Sequence, residues 1–382
     1  MRTALTERLG IEFPIFAFSH CRDVVAAVTN AGGFGVLGAV AYSPEQLDAE
    51  LSWIDAQVGG RPYGVDVLVP GKLDARGTRV ADLVPAEHRA FLDDLLRRYG
   101  VPAPPGATGE AADEFAGRVT ASGATGLVEV ALKHPIGLIA SALGPPPAHM
   151  VELAREAGVP VAALVGTVEH ALRQVEAGAD LIVAQGTEAG GHTGEVSTMV
   201  LVPQVVDAVG PVPVLAAGGI ADGRQVAAAL ALGAQGVWCG SVWLTTEEAE
   251  TPPVVKRKLL AASSLDTVRS RSRTGKPARQ LRSAWTEEWD RSPASPGPLG
   301  MPLQLLLAEG AMRAVNPAAE RGEPGAVDLA GYYVGQVVGQ LDRVRPARDV
   351  VYDLVRGYGE AVDRLAGLAE PDAAESEPDT AD

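Results

Sequence analysis

Residues 160–194 read Pro160-Val-Ala-Ala-Leu-Val165, Gly166-Thr-Val-Glu-His-Ala-Leu-Arg-Gln-Val-Glu-Ala177, Gly178-Ala-Asp180-Leu-Ile-Val-Ala184 and Gln185-Gly-Thr-Glu-Ala-Gly-Gly-His-Thr-Gly194. A short apolar run at 160–165 is followed by a stretch of helical period at 168–177, a second apolar run at 180–184 and a glycine-rich loop. That is one strand–helix–strand unit of a parallel sheet. The same alternation extends outward in both directions. Strands are expected at 13–18, 34–39, 63–69, 137–143, 212–217 and 236–244 besides the two just quoted, which makes eight. Helices are expected at 23–30, 44–57, 148–157, 198–208 and 223–232, with a long connection ending near Lys133. Several open on cap residues, as at Ser43-Pro44-Glu45 and Asp222-Gly223-Arg224. Eight parallel strands with helical crossovers point to an α/β fold of the (β/α)8 TIM-barrel class, closed around a packed interior, more than to an open sheet.

The 382 residues are ample for one such barrel with additions. The barrel is assigned to residues 1–246, with a polar, Pro- and Gly-punctuated insertion at 70–123 after the third strand. From 247 the alternation stops. Helices expected at 303–315, 329–341 and 348–368 make 247–368 an additional helical C-terminal domain, and the acidic tail 369–382 reads as disordered.

Composition narrows the function. A net charge of −16 disfavours nucleic acid and anionic membranes as partners. Apolar runs are too short for a bilayer span, and the N-terminal residues lack the apolar centre of a secretory signal, so a cytoplasmic location is expected. Cys21 and Cys239 have no metal-ligand spacing around them, and no metal site is expected. Residues 256–282 hold nine Lys or Arg against the single acid Asp266, which suits either a local anion site or cations paired with acidic surface elsewhere.

Chemistry in a barrel of this class is expected in the loops that follow the strands. Gly218-Gly219 after the seventh strand and Gly240-Ser241 at the eighth stand where such barrels bring backbone N–H groups to a phosphate, so a phosphorylated cofactor or substrate is expected, although paired glycines also make ordinary turns. His192 is the one histidine of these loops. It can serve as base, acid or donor near neutral pH, or stand exposed in its loop. Glu188 shares that loop with no evident partner, and no nucleophile elbow supports covalent hydrolysis.

The motif 185–194, with Val214-Leu-Ala-Ala-Gly-Gly-Ile-Ala-Asp222, Asn30-Ala-Gly-Gly-Phe-Gly-Val-Leu-Gly38 and Arg273-Thr-Gly-Lys-Pro-Ala-Arg279, resembles the nitronate monooxygenases. The resemblance spans most of residues 10–345. It implies FMN on the barrel, a helical part closing over the flavin, and oxidation of alkyl nitronates by dioxygen to a carbonyl compound and nitrite. By motif position it implies His192 as the catalytic residue. It also implies Gln185, Gly190 and Gly191 beside the flavin, and Gly218, Gly219, Gly240 and Ser241 around the phosphate. Asp66 stands where the family often has Asn, and is counted with the cofactor-binding residues. Exchange of amide for carboxylate would replace a donor by an acceptor. Phe16-Ala-Phe-Ser-His-Cys21 replaces the family's Pro-Met pair, with His20 read as a structural residue. The expected partners are a small-molecule substrate and dioxygen, and a homodimer is compatible with the resemblance. The alternative is a flavin-dependent reductase of an enoyl thioester or cyclic enone using NAD(P)H, its basic segment receiving cofactor phosphates.

Overall fold

The computed structural model describes residues 1–68, 83–101 and 121–369. The strands are β1 (Ile15–Ser19), β2 (Phe34–Gly38), β3 (Gly64–Val67), β4 (Leu138–Ser141), β5 (Val161–Val165), β6 (Leu181–Gln185), β7 (Gly191–His192), β8 (Val214–Ala217), β9 (Gly236–Cys239), β10 (Thr267–Ser270) and β11 (Ala278–Leu281). All but β7, β10 and β11 close into one parallel barrel in the order β1-β2-β3-β4-β5-β6-β8-β9. The (β/α)8 reading therefore holds. The predicted last strand is shorter than expected. It stops at Cys239, because the chain turns at Gly240 into a 3-10 turn over Ser241–Trp243.

Alternation along each strand separates two cores. Phe16, Phe34, Val36, Leu138, Ala140, Leu181, Val183, Leu215 and Trp238 point inward and fill the barrel, whose lower end is plugged by Leu5 of the N-terminal helix Ala4–Leu9. That helix is tied down at Gln235, whose side-chain oxygen accepts from the Leu5 amide at 3.0 Å. Outward residues such as Val65 and Val67 pack instead on the helix Pro44–Val58 through Leu47, Leu51 and Ile54.

Three parts differ from the sequence expectation. The insertion at 70–123 lies partly outside the described residues, but its described portion holds the helix Ala86–Arg98 and the start of the helix Ala121–Ala131. Phe91 of that helix meets Trp289 edge-on at 4.8 Å, in a core that the polar composition concealed. The region 247–368 is not helical throughout: β10 and β11 form an antiparallel hairpin that adopts β7 as its third strand. Residues 329–341, expected as a helix, run from the end of the short helix Pro324–Leu329 through extended chain to a 3-10 turn at Gln336–Gln340. Its apolar residues Ala330, Val334 and Val338 are nonetheless buried, in one core with the helices Pro253–Ala261 and Leu303–Glu320. The acidic tail lies outside the described residues apart from Ala369, the last residue of the helix Ala347–Ala369.

That last helix packs on Gly223–Ala231 and Arg22–Asn30, as an outer helix of the barrel. The approach is a backbone contact: a Cβ at Gly223 would lie 2.1 Å from the Tyr358 nitrogen and 2.2 Å from the Gly357 carbonyl carbon. Gly223→Ala must push the two helices apart and is expected to cost about 2–3 kcal/mol. Gly359→Ala, on the same helix but with open space around its Cβ, should be neutral or slightly stabilising. Thermal unfolding of the two variants checks this, and equal melting temperatures would refute the contact.

Candidate active site

The loop after β6 is built around Glu188. Its carboxylate accepts from the Thr198 amide at 3.0 and 3.2 Å and from the Thr198 hydroxyl at 2.9 Å. Glu188 thus has the partner that the sequence did not show: it caps the positive N-terminal end of the helix Thr198–Val209. The two glycine loops interlock here. A Cβ at Gly218 would meet Ala189 N, Gly186 O and Thr198 Oγ1, all at 3.1 Å.

Beyond Glu188 the chain leaves the barrel as β7, where His192 lies opposite Ala278 and Gly191 opposite Arg279. His192 is therefore a half-buried strand residue held by the hairpin, not a free loop residue. Its Nδ1 lies 3.3 Å from the Pro277 carbonyl oxygen. A carbonyl only accepts, so in the neutral ring Nδ1 carries the proton and Nε2 keeps its lone pair. Burial, with Lys276 nearby, holds the imidazole below its ordinary pKa against the opposing effect of the Pro277 hydrogen bond. The ring is neutral at pH 7 and Nε2 is available as a base.

The basic segment explains how the hairpin is fixed. Arg279, buried, donates from Nε to Thr187 O at 2.9 Å and from Nη1 to Thr267 Oγ1 at 3.1 Å. Arg269 donates to Thr193 O at 3.2 Å, on the other side of His192. Lys256 caps Thr246 O, and Lys258 caps the carbonyls of Val327 and Ala330. These cations bind oxygens of the protein itself, and Arg269, Arg273 and Arg282 also face Glu195, Glu309 and Glu287, which favours pairing within the protein over a free anion site.

Around the barrel mouth the inner row is small and polar: Gly38 beside Asp66, Asp66 beside Ala140, and Gln185 beside Ala217. Asp66 is 4% exposed, and its Oδ2 is buried with no hydrogen-bond partner. Burial raises its carboxyl to about 8. A carboxyl so raised keeps its proton, and with it a donor like that of Asn. His20 is half-buried, its Nδ1 donating to Gly38 O at 3.0 Å and its ring meeting Phe18 edge-on. Cys21 is buried, with its thiol 3.1 Å from Glu248 O.

The glycines divide into two kinds. Gly190 is packed by the protein itself, since a Cβ there would lie 2.9 Å from Val334 and Gly335 backbone. Gly219 and Gly240 are less crowded, an added Cβ making only ordinary contact, with Glu188 at 3.6 Å and Phe18 at 3.9 Å. Gly218 and Gly219 adopt φ of 96° and 72°, which a residue with a Cβ rarely tolerates. A group bearing phosphate fits this corner, with Gly219 and Gly240 backbone accessible and Ser241 beside them. The Ser241 hydroxyl also accepts from the Gly335 amide at 2.8 Å, and the Gln336 amide donates to Glu188 O at 2.9 Å. Segment 332–336 consequently arches from the end of β9 to the His192 loop. The sequence reading missed this arch and its Tyr332-Tyr333 pair, because it assigned them to a helix.

The nitronate monooxygenase family profile matches residues 2–357. A candidate monooxygenase of Mycobacterium tuberculosis is 63% identical over 97% of this chain and all of its own. The nitroalkane oxidase of Streptomyces ansochromogenes superposes with a TM-score of 0.76 at 28% identity, covering 95% of this chain and 100% of that one. FabK from Thermotoga maritima superposes at 0.69 with 29% identity, over 96% and 99% of the two chains. Among the described residues no helix is long and apolar enough to cross a membrane. With its closed barrel and its histidine held at the mouth, the chain is a flavin-dependent oxidoreductase that belongs to the nitronate monooxygenase family.

Proposed function

We propose that this protein oxidises alkyl nitronates, and the nitroalkanes from which they form, with FMN and dioxygen, yielding a carbonyl compound and nitrite. The observation that carries the reading is the committed tautomer of His192. With Nδ1 donating to Pro277, Nε2 can take the α-proton of a neutral nitroalkane and leave the nitronate. The likeness to a nitroalkane oxidase supports the same chemistry.

FMN, when bound, supplies the redox chemistry toward substrate and dioxygen. Gly218, Gly219, Gly240 and Ser241 would hold its phosphate. Asp66, Gln185, Gly190 and Gly191 would lie toward the ring, where the small residues Gly38, Ala140 and Ala217 leave room. The arch 332–336 and the hairpin, tied to Ser241, Glu188 and His192, would cover the bound flavin and limit water.

The likeness to FabK supports a second reading, reduction of an enoyl thioester by NAD(P)H. The commitment of Lys256, Lys258, Arg269 and Arg279 to internal carbonyls weighs against their use on cofactor phosphates. One experiment separates the two. The purified protein is denatured to identify its flavin, and the holoprotein is mixed anaerobically with NADPH, then with ethyl nitronate. Flavin bleaching by nitronate alone, with nitrite formed on admitting air, is expected. Rapid bleaching by NADPH without nitrite release would overturn the proposal in favour of the reductase.

A further inference from the structure

The small sheet carries a second polar group beside His192. Strand β11 has β10 along one edge, so both β7 and Tyr333, which bridges to Gln280, lie along the other. His192 is opposite Ala278 and Tyr333 opposite Gln280, two residues further on. Directly opposed side chains share a face and every second residue returns to it, so His192, Gln280 and Tyr333 project to one face. His192 and Tyr333 are separated by roughly 7 Å along the strand.

On this face donors are left over. Gln280 is 4% exposed and its Nε2 is buried with no partner. Arg273 lies over the Tyr333 ring, its guanidinium carbon 5.6 Å from the ring centre. It is 7% exposed, and its Nε is likewise buried without a partner. Its only charge partner among the described residues is Glu309, 3.6 Å away and so beyond hydrogen-bond reach. A buried amide N–H and a buried guanidinium N–H without acceptors each cost free energy, unless a ligand supplies the oxygens. Donors dominate, so the missing group is an acceptor, and the guanidinium selects one carrying negative charge.

We propose that Arg273 and Gln280, with the Tyr333 hydroxyl, form the receptor for the paired oxygens of the substrate's nitro or nitronate group. The inference rests on the function proposed above. It adds that these three residues hold the oxygens while His192 faces the adjacent carbon. A group that is neutral as nitroalkane and anionic as nitronate gains most from the guanidinium in its anionic form, so the receptor favours loss of the α-proton.

The test uses a redox-inert oxyanion, nitrate, titrated into the holoprotein and followed by the flavin spectrum, with chloride at equal ionic strength as control. Wild type is expected to bind nitrate, Arg273→Gln to weaken it at least tenfold, and Gln280→Leu and Tyr333→Phe by smaller factors. In steady state, Arg273→Gln and Tyr333→Phe should raise KM for ethyl nitronate more than they lower kcat. Circular dichroism and flavin content establish that each variant is folded, and Tyr333→Phe keeps the test decisive where the arginine variant does not fold. Nitrate affinities within twofold of wild type in the folded variants would overturn the receptor while leaving the proposed reaction untouched. Nitrate binding that depends on Arg273, in a protein that never releases nitrite from nitronate, would uphold the receptor and reject the reaction.

Discussion

His192→Ala is expected to lower kcat/KM for nitroethane by about a hundredfold or more, the usual range for loss of a positioned general base. Preformed ethyl nitronate needs no proton removed, so the variant should lose far less activity on it. The pH profile carries the same information. Because burial holds the imidazole below its ordinary pKa, wild-type kcat/KM for nitroethane should be level at neutral pH. It should fall only as the solution becomes acidic enough to protonate Nε2. In the variant that acid limb disappears. Oxygen uptake with the two substrates across the pH range measures all of this. Equal losses on nitroalkane and nitronate would show that His192 acts on binding and not on the proton.

Asp66→Asn should have the largest effect on stability, with a definite sign. The folded carboxyl is raised to about 8 by burial, whereas in the unfolded chain it ionises in the ordinary carboxylate range. Between these limits the folded protein keeps a proton that the unfolded chain has released. Unfolding therefore releases a proton throughout that window, and stability falls as pH rises, by about 1.4 kcal/mol per pH unit for this one group. The strand neighbours in register, Gly38 and Ala140, do not titrate and offer no compensating charge. Asn has the same shape and no such dependence. Urea denaturation at pH 5.5, 6.5 and 7.5 should show the variant gaining on the wild type as pH rises, by about 2–3 kcal/mol between the first value and the last. Parallel curves would mean that Asp66 ionises freely in the fold.

These two residues also show where sequence reasoning reaches its limit. The barrel was legible because its signals are local. Runs such as 161–165 and 181–184 are apolar on both faces, helices between them carry caps, and glycines punctuate the turns. His192 was legible as a candidate because it stands alone among glycines in a loop at the catalytic end. Whether it was a base or an exposed side chain was not legible, since that depends on Pro277, Ala278 and Arg279, some 85 residues away. The hairpin that supplies them was hidden because β10 and β11 are four-residue strands rich in Arg and polar residues, with no alternating pattern long enough to read. Residues 329–341 misled for a related reason. An apolar stretch is compatible with helix or extended chain, and the choice is made by the partners that bury it.

By itself the sequence determined the eight-stranded barrel, the loop that bears the histidine and the glycine turns at the strand ends, because period, turn chemistry and backbone freedom are properties of neighbouring residues. Only the tertiary structure decided the carbonyl partner of His192, the burial of Asp66 and the internal pairing of the basic segment. Hydrogen-bond partners, burial and charge pairing are set by residues distant in the chain, and these fix which atom holds a proton.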